Sequence, residues 1–184
     1  MVWHWAKGVR MTFLLIAGVL VFVALVLFGC QRKLIYHPRE YAVDYKSVLP
    51  ARAFALEYEA SCGKQTAYYI PPSLRPTEPP SRLWIFFGGN GSLALDWQYL
   101  VHRLPDERAG VLLIDYPGYG TCEGQPSAVS IADSSRKVLP ALAKKLGVDE
   151  KQLEGGIGVV GHSLGCAAGL NFAYWKRARV FSCS

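Results

Sequence analysis

The stretch Ile157-Gly158-Val159-Val160-Gly161-His162-Ser163-Leu164-Gly165-Cys166-Ala167-Ala168-Gly169-Leu170-Asn171-Phe172-Ala173-Tyr174 decides the fold. Its first four residues are apolar and read as a buried strand, and the small residues after Gly165 read as a helix. Between them, residues 161–165 spell G-x-S-x-G. A serine at so tight a turn is forced onto strained backbone with its hydroxyl above the sheet, and the flanking glycines let strand and helix close up. The helix start brings backbone N–H groups and the positive end of a dipole toward that hydroxyl. The bare pattern occurs by chance in roughly one chain in fifteen of this length. The strand before it and the helix after it therefore carry the assignment.

Working upstream, Val111-Leu112-Leu113-Ile114 and Leu83-Trp84-Ile85-Phe86-Phe87 are further apolar runs of strand length. Helical stretches are expected from Ala94 to Leu104 and from Ser130 to Leu146, the second with Pro140 as a candidate kink. Continuous apolar strands alternating with helices indicate an α/β chain with a mostly parallel sheet covered on both faces. Before them, Phe54, Leu56 and Tyr58 alternate with Ala55, Glu57 and Glu59, and Thr66 to Ile70 forms a second short run. These predict a hairpin turning at Gly63-Lys64. The proline-rich stretch 71–80 is a stiff loop.

An acyl-transfer serine needs a base, a group that orients the base, and donors for the oxyanion. In this kind of arrangement one donor is the N–H after the nucleophile, here Leu164, and the other comes from the loop after an earlier strand. Gly88-Gly89-Asn90-Gly91 follows a buried strand and precedes a helix, and Asn90 is the candidate second donor. Asn90-Gly91-Ser92 also forms a glycosylation sequon, but a turn under a site has little room for a glycan. Asp115 is expected to fix its own turn. Gly156 to Gly161 matches G-x-G-x-x-G, yet overlaps the strand instead of following it, which argues against a dinucleotide site.

Three segments, FFGGNGS (86–92), DYPGYGTCEGQPS (115–127) and GHSLG (161–165), together with QRKLIYHP (31–38), give the chain its resemblance to a known group. It resembles the membrane-anchored branch of the α/β-hydrolase superfamily, similar to lysophospholipases, acylglycerol lipases, protein depalmitoylases and serine aminopeptidase-like hydrolases. The resemblance covers about Gln31 to Tyr174. It implies an α/β-hydrolase fold, Ser163 as nucleophile, and Asn90 with Leu164 as the oxyanion hole. The substrate would be an ester, thioester or amide, and no cofactor or metal is implied. In the family the acid and then the histidine follow the serine. Only 21 residues follow Ser163 here, and all four histidines precede it. His162 should point away from the hydroxyl, and His4, His37 and His102 are not placed to act as base. The expectation is a chain incomplete at its C-terminus, its residues 31–184 amounting to the first two-thirds of a hydrolase domain. Its strand 157–160 should lack a neighbour on one side. The competing reading is a truncated, inactive fold acting as a membrane-bound binding or interaction protein.

Thr12 to Phe28 contains no charged residue and approaches the length of a bilayer-spanning helix. Trp3 and Trp5 suit a headgroup region, while Arg32 and Lys33 on the far side blur the orientation. The run ends Leu27-Phe28-Gly29-Cys30, which resembles a lipoprotein cleavage box except that Phe28 is not small. Residues 1–30 thus read as a membrane anchor or a lipoprotein-type signal, with the bilayer as partner and the remaining domain outside the cytoplasm. The net charge of +6 is scattered without interleaved aromatics, which argues against nucleic-acid binding. Five cysteines show no metal-ligand spacing, and a Cys62–Cys122 disulfide is an option in an oxidising compartment.

Overall fold

The structure is a computed structural model that describes residues 2–42, 44–103 and 106–183, with side chains other than those of residues 2–9, 46, 102 and 181–183. Two compact units divide at residue 36. The first is a helix, α1 (Val2–Ile35). Within Arg10–Ile35 the mean hydropathy of an 18-residue stretch reaches 3.0, so by length and composition the helix could cross a membrane or serve as a signal sequence. Phe13, Leu14, Leu15 and Ile16 all present exposed side chains, so the apolar surface runs around the helix and is not a single stripe.

The second unit contains a six-stranded sheet: β1 (Phe54–Ala60), β2 (Gly63–Ile70), β3 (Arg82–Phe87), β4 (Ala109–Ile114), β5 (Ile157–Gly161) and β6 (Arg179–Cys183). The spatial order is β1-β2-β4-β3-β5-β6. β1 pairs antiparallel with β2 and β2 with β4, while β4, β3, β5 and β6 run parallel. In β1, Leu56 and Tyr58 are buried and Glu57 and Glu59 exposed, the alternation of a strand with one covered face. β3 and β4 are buried on both faces, as their unbroken apolar runs require.

Two expectations change here. The hairpin turns at Ser61-Cys62, because Gly63 already pairs with Ala60 and Lys64 with Glu59. Strand β5 is flanked on both sides: β6 pairs with it in parallel, with a register irregularity between Val159 and Val160. The chain after Lys176 returns far enough to satisfy the backbone groups that a bare edge would expose.

Helix α2 (Ala128–Leu146) starts at Ser127, whose hydroxyl accepts from Ser130 N–H at 3.0 Å, and ends at Gly147 in the left-handed region. It continues through Pro140 and buries Ile131, Ser134, Ser135, Val138, Leu139 and Leu142, a stripe of helical period. The short α3 (Glu150–Glu154) is opened by a reciprocal capping box between Asp149 and Gln152. Helix α4 (Leu164–Lys176) packs on the sheet through Phe172, whose ring lies 5.7 Å from that of Phe87. On the opposite face, Tyr68, Trp84, Phe86, Val111 and Leu113 meet Leu95, Tyr41 and Tyr45. The helical stretch expected there is a 3-10 helix, Ala94–Arg103.

Candidate functional site

Strand β3 lies between β4 and β5, so the strand order reverses on either side of it. Such a reversal opens a crevice beyond the C-terminal ends of the parallel strands. Residues 88–92 leave the end of β3 at this point, and residues 162–164 leave the end of β5. His162 N–H donates to Phe87 O at 3.1 Å, carrying the β3–β5 pairing one step into the turn.

Ser163 follows with φ 52° and ψ −116°, and it is exposed. A non-glycine residue held there stores on the order of 1–3 kcal/mol of strain. The surroundings leave no slack. A Cβ at Gly161 would stand 2.6 Å from Gly165 O, and one at Gly165 would stand 2.0 Å from Phe87 O. Gly165 N–H donates to His162 O at 2.8 Å and Cys166 N–H to Ser163 O at 2.9 Å, which closes the first turn of α4. Leu164 is the first residue of that helix, so its N–H belongs to the first-turn donors that have no intrahelical acceptor.

The facing turn is equally crowded. Gly88 and Gly89 are buried and Asn90 is exposed. Ser92 N–H and Oγ both donate to Gly89 O, at 3.2 and 2.8 Å, and Tyr116 OH donates to Gly88 O at 2.7 Å. A Cβ on Gly88 would stand 3.0 Å from Trp97 Nε1, and one on Gly89 would stand 2.6 Å from His162 Nδ1. The imidazole of His162 thus lies against the glycine turn, its ring 5.0 Å from that of Trp97. The Asn90 side chain is engaged: Oδ1 accepts from His37 N–H at 2.9 Å and from Tyr119 OH at 2.8 Å. Its candidate contribution to an oxyanion hole therefore rests with the backbone N–H.

Asp115 departs from expectation. Instead of fixing its own turn, its carboxylate accepts from Ala94 N–H at 2.7 Å and from Tyr41 OH at 2.8 Å, joining two distant segments. Burial pushes its pKa up to about 6, against the opposing pull of those two hydrogen bonds. Burial likewise raises the phenol of Tyr116.

Cys62 and Cys122 are free thiols, so the disulfide considered for them is not formed. Cys122 Sγ instead accepts from Thr66 N–H at 3.2 Å and donates to Thr66 O at 3.6 Å, and burial pushes its pKa up to about 12. Among the described residues no three His, Cys, Asp or Glu side chains gather as a metal would need. No hydrogen bond among the described residues reaches Ser163 Oγ. The side chains of His4 and His102 lie outside the described set. A cleft of about 400 Å3, lined by Pro50, Ile70, Pro72, Val101, Ala109 and Val111 among others, sits at the opposite end of the strands from Ser163.

A mostly parallel sheet with a strained serine at the strand–helix turn, facing a glycine-rich turn from the neighbouring strand, has the architecture of the α/β-hydrolase fold. The sequence profile of the alpha/beta hydrolase family matches residues 84–184, and the chain belongs to that family. It is similar to the uncharacterized protein YfhR of Salmonella typhimurium, 27% identical over 142 residues, covering 71% of this chain and 47% of YfhR. It is also similar to the uncharacterized protein Rv2307c of Mycobacterium tuberculosis, 29% identical over 161 residues, covering 87% of this chain and 53% of Rv2307c. The chain spans about half the length of these curated relatives. Among solved structures, a carboxyl esterase from Bacillus coagulans superposes with a TM-score of 0.55 at 14% identity, over 71% of this chain and 44% of the esterase. AbyA5 gives 0.54 at 18% identity, over 75% and 37% of the two chains. At such identities the likeness is one of fold.

Proposed function

We propose that this chain is the nucleophile-bearing part of a membrane-tethered serine hydrolase that cleaves an ester, thioester or amide. Ser163 attacks the acyl carbon, and the backbone N–H groups of Leu164 and Asn90 hold the oxyanion. The triad acid and base come from residues outside these 184. The observation that carries the reading is Ser163 itself, held at φ 52° and ψ −116° at the end of β5 and exposed beside the Gly88–Ser92 turn. Strain of this kind persists only where the surroundings enforce it, and it is concentrated at functional sites. The apolar α1 favours lipids or lipidated proteins as substrates and agrees with a relationship to the lysophospholipase, depalmitoylase and serine aminopeptidase-like branch. The Bacillus coagulans relative in fold is a carboxyl esterase, which makes esters the first substrates to try.

The test is labelling with a fluorophosphonate probe in membranes. Labelling is expected at Ser163 and is lost in Ser163→Ala, and an unlabelled but folded protein would sink the catalytic reading. A second reading, a non-catalytic member of the family that binds lipid or a partner, is favoured by one observation: no described group hydrogen-bonds Ser163 Oγ. Wild-type protein that stays on membranes yet takes no label would support it.

A further inference from the structure

The Gly88–Ser92 turn has little that holds it from within. Two of its bonds are internal, both from Ser92 to Gly89 O, and Gly91 stands at φ +73°. Glycine-rich backbone loses more conformational freedom on ordering than any other, so a defined shape there has to be imposed from outside. Besides the Tyr116 hydroxyl on Gly88 O, that constraint comes from residues 37–39.

We propose that His37–Arg39 is a strap that sets the conformation of the Gly88–Ser92 turn. Asn90 Oδ1 is the junction, and Tyr119 and Arg39 are positioning residues. Asn90 Oδ1 accepts from both the strap, through His37 N–H, and the loop after β4, through Tyr119 OH. His37 N–H is also 3.1 Å from Tyr119 Oη, so the three groups form a closed triangle. Two residues on, Arg39 Nη1 donates to Gly91 O at 3.0 Å and reaches Asp96 Oδ2 at 3.3 Å, while Leu93 N–H donates to the same carboxylate oxygen at 2.9 Å. Arg39 O accepts from Gly120 N–H at 2.7 Å. The strap is therefore bonded to the turn on one side and to the loop after β4 on the other. Both loops lie at the C-terminal ends of parallel strands.

Tyr119 is fully buried, so its hydroxyl cannot exchange Asn90 for water without rearrangement. Arg39 is 55% exposed, and its ion pair with Asp96 is worth little by itself. Its contribution is the direction it gives to Gly91 O. The catalytic side of the inference rests on the proposed serine chemistry. Oxyanion donors act within about 2.7–3.1 Å of the developing charge, so a turn free to move by an ångström would lose much of their effect.

Full-length protein in its membrane, with Arg39→Ala, Arg39→Lys and Tyr119→Phe, tests the strap by amide hydrogen exchange. Residues 88–92 in Arg39→Ala and Tyr119→Phe are expected to exchange about tenfold faster, the loss of one ordinary hydrogen bond's worth of local protection. Amides of β3 and β4 should keep their wild-type protection, and Arg39→Lys should recover part of the change. Unchanged exchange at 88–92, or an equal acceleration throughout the sheet, overturns the strap, the second outcome marking a purely global stabilising role. Fluorophosphonate labelling read alongside separates the two layers. The strap variants are expected to lower the maximal labelling rate at unchanged probe affinity. If wild type takes no label while residues 88–92 still respond, the serine chemistry fails and the strap stands.

Discussion

At Asp115 a carboxylate is 1% exposed and held by one N–H and one phenol. Two neutral donors do not replace the hydration a charged group loses on burial, which is why its pKa is pushed from the ordinary carboxylate range up to about 6. The sign of the consequence follows from linkage. With the folded-state value above the unfolded one, the folded protein binds the proton more tightly. The group's contribution to stability is then full below about pH 4 and is lost as pH rises through about 6. A displacement of this size corresponds to roughly 3 kcal/mol across the window. Asp115→Asn cannot titrate, so its urea midpoint should change less between pH 4 and pH 7.5 than that of wild type. Any cost of presenting an amide to Tyr41 or Ala94 is independent of pH and cancels in that comparison. Parallel pH dependences for the two proteins would mean that Asp115 is not the titrating group. Asp115 thus couples Tyr41 to the start of the 3-10 helix at a cost in stability near neutral pH, a trade found where geometry is held for a purpose beyond stability.

Among the elements, α2 shows how much of one can be local. Ser127 accepts from Ser130 N–H, Gly147 closes the other end, and the buried stripe keeps helical period between them. Ser127→Ala should cost about 1 kcal/mol and Ser127→Gly only a few tenths, read as shifts in the denaturant midpoint at constant slope. Equal effects of the two would place the role of Ser127 in packing instead of capping. What could be read from the chain alone follows the same division. The strand–turn–helix around Ser163 was legible because strand, glycines and helix lie within 18 consecutive residues and each constrains its neighbours. Strands β3 and β4 were legible because burial on both faces leaves an apolar run. The turn lies at Ser61-Cys62, two residues before the Gly63-Lys64 that glycine's turn preference points to, because Gly63 pairs with Ala60 and enters β2. β6 was hidden because Arg179-Val180-Phe181-Ser182-Cys183 has neither alternation nor continuous apolarity, and its place comes from pairing with β5. The strap was out of reach for the same reason: His37 bonds partners 53 and 82 positions away, with no periodicity to announce them. The place of Asn90 in a glycine-rich turn can be read from the chain, but the engagement of its side chain depends on those same distant partners.

For the whole molecule, the question is what medium α1 occupies. A helix apolar around its full circumference is stable inside a large core or in lipid, and Arg10–Ile35 has the length for the latter. The membrane reading predicts that the full-length protein stays with the bilayer after alkaline carbonate extraction. It also predicts a steep response to charge at mid-helix. Arginine at the centre of a spanning helix costs on the order of 2.5–3.5 kcal/mol, so Leu20→Arg with Val23→Arg together should weaken insertion by roughly 5 kcal/mol or more, beyond three orders of magnitude in partition. The double variant should appear in the carbonate supernatant. Leu20→Ala with Val23→Ala, which leaves the segment uncharged, should remain in the pellet. The mass of the pelleted protein then separates an intact anchor from a processed lipoprotein. An uncleaved chain means that α1 itself spans. A chain beginning at Cys30 and carrying lipid means that the apolar run served as a signal, and Cys30→Ser would then abolish both the cleavage and the membrane retention. If wild type washes off with carbonate uncut, α1 is not in the bilayer, and the preference for lipid substrates loses its support while the geometry around Ser163 is untouched.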